Sequence, residues 1–363
     1  MGPDDEYVVQ SDRDDSKFWA WENSQTLGCT FEWEDDDDNG HYVNPQMWNK
    51  RVKTGFQVLP DRLQGKVQGH DGSLGGVNPG QGIAKSCEFD MTIKPLSGWG
   101  DDDFDSVDKQ TNKQVKSRAK QRSTAGWLAS FSVFEPHWQV TMADGRATGS
   151  TTWNGKCYEF ENVPFYAEKN WGGAFPSKWY WAQCNAFEGY DRLSVTTGGG
   201  TRNIPLGRTE DLGLICVHYD GVFYEAVPWT GDMSWDVDPW GKWIMSGKCT
   251  SGERLFEVEF TAICDPNSVP GVVLRAPTKD NGLSYFCRDS FYAETKLSLW
   301  TLSWNKKTKK YERVSGPPII DNATSKHGAV EIGGGPWWDT WKGSSKMKQP
   351  LKGLVQVPYL VAK

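Results

Sequence analysis

The first constraints come from what the chain lacks. No apolar run approaches the roughly 20 residues that a membrane-spanning helix needs. Histidine is scarce, at five in 363 residues. The eight cysteines (29, 87, 157, 184, 216, 249, 264 and 287) form no CxxC pair and no zinc-ligand spacing. Scattered thiols fit a reducing compartment, although an even count leaves disulfides open. There is no GxSxG elbow. The glycine triplets Gly198–Gly200 and Gly333–Gly335 lack a following Lys-Ser/Thr and read as tight turns or bulges, not as phosphate cradles. The acidic runs Trp33–Asn39 and Asp101–Asp108 lack calcium-loop order and read as solvated loops. A net charge of -7 argues against nucleic acid or an anionic membrane as the main partner. The start, MGPDDEYVVQSDRDD, has neither signal-peptide nor transit-peptide order, so any targeting segment is expected outside this chain.

Helical periodicity is also rare, and Pro45–Gly55 is the best short helix. The chain instead holds 20 Trp, 39 Gly and 19 Pro. Short alternating or aromatic runs, such as Cys87–Ile93, Lys178–Asn185 and Leu255–Phe260, are separated by turn-forming residues. That pattern predicts an all-β fold, with antiparallel sheets closed into barrels or sandwiches. A length of 363 residues favours two domains. A polar insertion is expected near residues 101–122.

Three stretches carry residues fit for chemistry. In Pro164–Phe187, Tyr166, Glu168 and Asn170 alternate with Ala167, Lys169 and Trp171, ahead of Trp179, Trp181 and Gln183. A carboxylate among rings loses hydration, so its pKa should rise and let it hold a proton near neutrality. The competing reading is a Glu168–Lys169 surface pair of little energetic weight. In Ser130–Gln139, Glu135, His137 and Gln139 would share one strand face beside Trp138, either as the polar wall of a pocket or as an edge facing water. Asp289, in Cys287-Arg-Asp-Ser290, is a further carboxylate before an aromatic strand, or else half of a structural ion pair.

The block AEKNWGGAFPSKWYWAQCN (Ala167–Asn185) resembles the central motif of plant and algal tocopherol cyclases. KSCEFDMTIKPLSGWGD (Lys85–Asp101), LICVHYDGVFYEAVPW (Leu214–Trp229), CRDSFY (Cys287–Tyr292) and EIGGGPW (Glu331–Trp337) are similar to others, in the family's order. The resemblance implies two lipocalin-like antiparallel β-barrel domains, expected at 1–174 and 175–363. The first is expected to be incomplete at its start, and Gly172-Gly173 with Pro176 to mark the junction. It implies cyclisation of a prenylated (phytyl) benzoquinol to a chromanol, with no cofactor and no metal. It also implies a chloroplast location, at the plastoglobule or envelope, with peripheral contact to a lipid surface. Related carotenoid hydratases carry an acid at the place of Glu168. That analogy points to Glu168 as the catalytic acid; beside it, Asn170 is expected to orient the acid or the quinol, Lys169 and His137 are candidates for holding the phenol oxygen, and Asp289 is the alternative acid. Glu135, Trp138, Tyr166, Trp171, Trp179, Trp181 and Gln183 are the expected substrate contacts. Two other readings are a non-catalytic prenylquinone carrier and a carotenoid hydratase-like enzyme.

Overall fold

The computed structural model describes residues 1–363 apart from 4–5, 11–13, 22–25, 35–41, 70–83, 102–121, 125, 127–135, 174, 205–207, 253, 279–281, 335–336, 349–351, 354 and 356–363. The expected polar insertion and Glu135 therefore lie outside, or almost outside, the described residues. The described chain is nearly all antiparallel β-structure in two compact units. The first comprises residues 1–96 and 145–165, and the second residues 97–144 and 166–363.

The first unit contains β1 (Phe18–Ala20), β2 (Leu27–Trp33), β3 (Val52–Leu59), β4 (Arg62–Gln68) and most of β5 (Ser86–Ser97). It also holds the hairpin end of β6 (His137–Trp153) and β7 (Lys156–Trp171). These seven strands pair in chain order. The β6–β7 turn is Asn154-Gly155, with φ of 49° and 80°. Two successive left-handed residues match the twist of the flanking strands, and Asn-Gly adopts them with least strain. The expected helix over Pro45–Gly55 is only one α-turn, Trp48–Arg51, after a 3-10 turn at Pro45–Met47 that Asn44 caps. Val52 and Thr54 are β-branched and pair with Trp33 and Glu32, so the sheet takes the second half of that stretch. Inside the unit, Arg62 grips Asp90 with two hydrogen bonds of 2.8 and 2.9 Å. Gln64 donates to the same carboxylate, and Gln57 donates to Gln64 and to the Val43 carbonyl. Both glutamine side chains are thereby satisfied where they are buried.

The second unit is built on β8 (Lys178–Cys184), β9 (Leu193–Ile204), β10 (Arg208–Tyr219), β11 (Val222–Ala226), β12 (Gly231–Val237), β13 (Lys242–Cys249), β14 (Phe256–Ile263), β15 (Val272–Thr278), β16 (Gly282–Asn305), β17 (Lys310–Arg313), β18 (Ile320–Gly333) and β19 (Trp341–Ser345). Their order is β11-β10-β9-β8-β18-β16-β14-β13-β12-β19, with β15 and β17 also pairing with β16. The sheet curls so that β10 packs against β12, β13 and β19. The concave side is filled by Tyr180, Trp235, Trp243, Phe256, Phe260 and Leu297, among others. Each fully buried ring contributes about 3 kcal/mol, so the rings of this core outweigh any surface ion pair of the unit. All eight cysteines are thiols, and only Cys157 is exposed.

Candidate active site

Strand β8 has two faces. Tyr180 and Ala182 enter the core, while Trp179 and Trp181 leave by the opposite face. Register then sets two rows on that second face. Asp289 on β16 is paired with Glu331 on β18, Glu331 with Trp181, Trp181 with Gly198 on β9, and Gly198 with Leu214 on β10. One step along lies the row Cys287, Gly333, Trp179, Gly200, Leu212. The rings therefore lie between glycines. A Cβ at Gly333 would meet the Trp179 ring at 2.0 Å, and one at Gly198 would meet Trp138 at 3.0 Å. This corrects the expectation of a tight turn at Gly198–Gly200. The triplet runs through the middle of β9, and its missing side chains are the space in which the rings sit.

Over this face is a cavity of about 770 Å³, within the usual range of small-molecule sites. All its lining residues belong to the second unit. One end is polar, with His137, Trp138, Glu168, Asn170, Trp181 and Glu331. Away from that end the wall carries the apolar side chains of Leu214, Pro228, Trp229, Met347 and Val355, interspersed with charged ones such as Arg202, Asp211, Lys346 and Lys348. Glu331 and Leu214 are three strand spacings apart, roughly 14 Å.

Glu168 is the hub of the polar end. Its Oε2 accepts from the Trp138 indole at 2.8 Å and from the Tyr166 hydroxyl at 2.6 Å, and its Oε1 accepts from Asn170 at 3.1 Å. Burial pushes this carboxyl up, and Tyr166, Trp138 and Asn170, with a smaller contribution from the nearby Trp181 indole, pull it part of the way back. Burial and the Glu168 charge push Tyr166 well up, so it stays a phenol and a donor. The Trp181 N–H and His137 Nδ1 are buried with no hydrogen-bond partner.

Asp289 and Glu331 form a second carboxyl site. The Cys287 thiol donates to Asp289 at 2.9 Å, and the Trp179 indole donates to Glu331. Burial drives Asp289 up to about 6, and burial together with Asp289 drives Glu331 well above the carboxylate range. The Glu168 charge raises both further. The donor atoms of Cys287, Asp289 and Glu331 lie within 4.8 Å of one another, a spacing a cation could bridge. Metal binding would require anions, however, and here the thiol and the carboxyls are all driven toward their protonated forms.

Of the residues singled out from sequence, His137, Trp138, Glu168, Asn170, Trp179 and Trp181 line the cavity. Tyr166 touches it through Glu168, and Asp289 through its register partner Glu331. Lys169 leaves by the other face of β7, with its ammonium 5.8 Å from the Trp171 ring centre. Trp171 is 45% exposed and stacks on His137 at 5.2 Å without lining the cavity. Gln183 is buried beyond the lining. Sequence reasoning missed Glu331, Cys287 and the glycine floor. The i, i+2 spacing of Cys287–Asp289 and of Glu331–Gly333 shows only that each pair shares a strand face, and not that β16 and β18 bring the two pairs together.

A curled β-sheet carrying a cavity with clustered carboxyls at one end and apolar side chains at the other defines an acid-bearing pocket for a lipid-like molecule. A family model described as "Tocopherol cyclase-like" matches residues 1–334. The chain is 42% identical over 362 residues to "Tocopherol cyclase, chloroplastic" of Zea mays, covering 99% of this chain and 69% of that protein. It is 40% identical to "Probable tocopherol cyclase, chloroplastic" of Oryza sativa subsp. japonica, covering 98% and 69%. No solved structure matches. The chain belongs to the tocopherol cyclase-like family.

Proposed function

We propose that this enzyme, a tocopherol cyclase, closes the chromanol ring of a prenylated benzoquinol in the cavity over β8 and β9, using protons held by its clustered carboxyls. The observation that carries this is the approach of Glu168, Asp289 and Glu331 to one another at a single tryptophan-walled end. Carbon protonation needs an acid that still holds its proton at neutral pH, and burial and mutual repulsion provide for that here. The tertiary cation that follows needs electron-rich faces, and Trp138, Trp179 and Trp181 present them. The quinol head fits the polar end, where the Trp181 N–H and His137 Nδ1 await partners. The prenyl tail then runs over Gly198 and Gly200 toward Leu214, Trp229 and Met347.

The chloroplastic relatives support a chloroplast location for this chain, and we place it at the surface of a plastoglobule or envelope. No helix among the described residues is long and apolar enough to cross a membrane. Exposed rings, above all Trp338 at 80% exposure, suit peripheral contact with lipid.

The test is product analysis on methyl-phytyl-benzoquinol. Chromanol should form from the quinol and not from the quinone, and the double variant Glu168→Gln/Glu331→Gln should bind quinol without forming product. Binding of quinol and quinone alike with no chromanol would instead establish a carrier.

A further inference from the structure

The two carboxyl sites at the polar end are not equivalent, and their hydrogen bonds separate them. Glu168 accepts three side-chain donors, two on Oε2 and one on Oε1, from Trp138, Tyr166 and Asn170. An indole N–H and an amide N–H can only donate, and Tyr166 keeps its proton, so all three bonds stabilise the anion. A protonated Glu168 could keep them only with one bond on its hydroxyl oxygen, a weaker acceptor than a carboxylate oxygen, so all three bonds favour the ionised form. Glu331 accepts one such donor, from Trp179, and faces a second carboxyl, Asp289, across the strand pair. Two carboxyls so placed cannot both ionise without strong repulsion, so the pair keeps a proton. Both Glu168 and Glu331 line the cavity, whereas Asp289 stands behind Glu331.

From this geometry we infer that Glu331 is the general acid of the cyclisation, Glu168 the base that takes the phenol proton, and Asp289 with Cys287 the positioning pair that keeps Glu331 protonated. This deepens the assignment of the cavity as the cyclisation site and rests on it. It reverses the expectation that Glu168 is the acid.

The bonds balance without a co-reactant. The Glu331 O–H breaks and its proton forms a C–H bond with the alkene carbon nearer the ring, which leaves a tertiary cation at the other alkene carbon. A lone pair of the phenol oxygen closes the C–O bond. The phenol O–H breaks and its proton passes to Glu168. Product release leaves Glu331 ionised and Glu168 protonated, and one proton transfer between them restores the start. The Glu168 anion has a second effect, because its charge stabilises the cation while the cation exists. A weakly acidic Glu331 can protonate carbon only if that cation is held so.

The experiment uses the full chain, methyl-phytyl-benzoquinol and D₂O, with each glutamate changed singly. Glu331→Gln should lower both chromanol formation and deuterium incorporation into the prenyl chain about 10³-fold. Glu168→Gln should lower chromanol formation about 10²-fold, while deuterium still enters the prenyl chain and a tertiary alcohol appears from capture of the cation by water. Quinol binding, read by tryptophan quenching, should persist in both, which separates lost chemistry from lost folding. Should a glutamine variant fail to fold, Glu331→Asp and Glu168→Asp, which keep a carboxyl but draw it back, replace it in the same assay. Deuterium incorporation surviving in the Glu331 variant and vanishing in the Glu168 variant would reverse the roles and overturn the inference alone. Full activity in both variants would overturn the site itself.

Discussion

Asp289 and Glu331 are register partners across β16 and β18, two carboxyls set side by side where burial and mutual repulsion drive both toward the protonated form. Glu331 has the cavity in front of it and Asp289 behind. An enzyme that must hold a proton at the pH of its compartment gains that proton from this pairing.

The pairing has a pH signature. Facing Glu331 are the titratable groups of Asp289 and Cys287 on β16 and of Glu168 on β7. Of these, burial and the charges of Asp289 and then Glu168 raise Glu331. Asp289→Asn removes the nearer charge, so Glu331 should lose its proton at lower pH. The falling limb of kcat against pH is expected to move to lower pH, so that activity is lost first on the alkaline side and is retained at acidic pH. A purely structural Asp289 would lower activity equally at every pH and leave the limb in place.

The same groups set the stability profile. A carboxyl whose folded pKa lies above its unfolded value stabilises the fold fully below the unfolded value, and that contribution is lost as pH rises through the folded one. For Asp289 the window runs from about 4 to about 6, and for Glu331 it extends higher. Glu331→Gln removes an ionisable group from this setting while keeping an acceptor for Trp179. The variant is expected to exceed the parent in thermal stability at pH 8, with the difference shrinking toward pH 5. Melting curves across pH 5–8 check it, and a variant less stable at pH 8 would refute it.

Much of this was legible in the chain. Alternation showed the β-class, and i, i+2 spacing put Tyr166, Glu168 and Asn170 on one face, where the structure has them hydrogen-bonded. Lys169 and Trp171 were less readable, because alternation fixes which residues share a face and not which face meets the cavity. Glu331 was hidden for another reason. It becomes an acid only opposite Asp289, 42 residues earlier, and strand pairing at that range leaves no local mark. The glycines of β9 looked like turns because a local reading associates Gly with positive φ. Here their φ values are ordinary and the requirement comes from rings on neighbouring strands.

Those glycines allow a test in which neighbouring residues should behave differently. Gly198 faces the cavity, where a Cβ would stand 3.0 Å from Trp138. Gly199 also borders the cavity, but its Cβ would stand 2.5 Å from the ring of Tyr180, a core residue. Gly199→Ala is expected to cost about 1–3 kcal/mol of stability by overpacking. Gly198→Ala should leave stability within about 1 kcal/mol, since Trp138 borders open space, and should lower kcat/KM for the quinol about tenfold by shifting the ring that bonds Glu168. Chemical denaturation and initial rates on both variants separate the two effects, and equal destabilisation would show that β9 is not divided in this way.

The apolar end of the cavity yields the last test. If the tail lies over Gly198 and Gly200, its first branches pass Leu214, which continues the row from Glu331 through Trp181 and Gly198. Leu214 packs with Trp229, Met347 and Val355 at the foot of the cavity. Leu214→Trp would fill roughly the volume of one isoprene unit there, at a distance of roughly 14 Å from Glu331. The phytyl quinol is expected to lose affinity by about 1–3 kcal/mol, a 10- to 200-fold rise in KM. A quinol with a single prenyl unit should be cyclised at the parent rate, because neither the carboxyls nor the rings at the head are touched. Equal losses on both substrates would mean that the tail leaves the cavity by another route. Loss on the short substrate alone would mean that the head and tail ends are reversed.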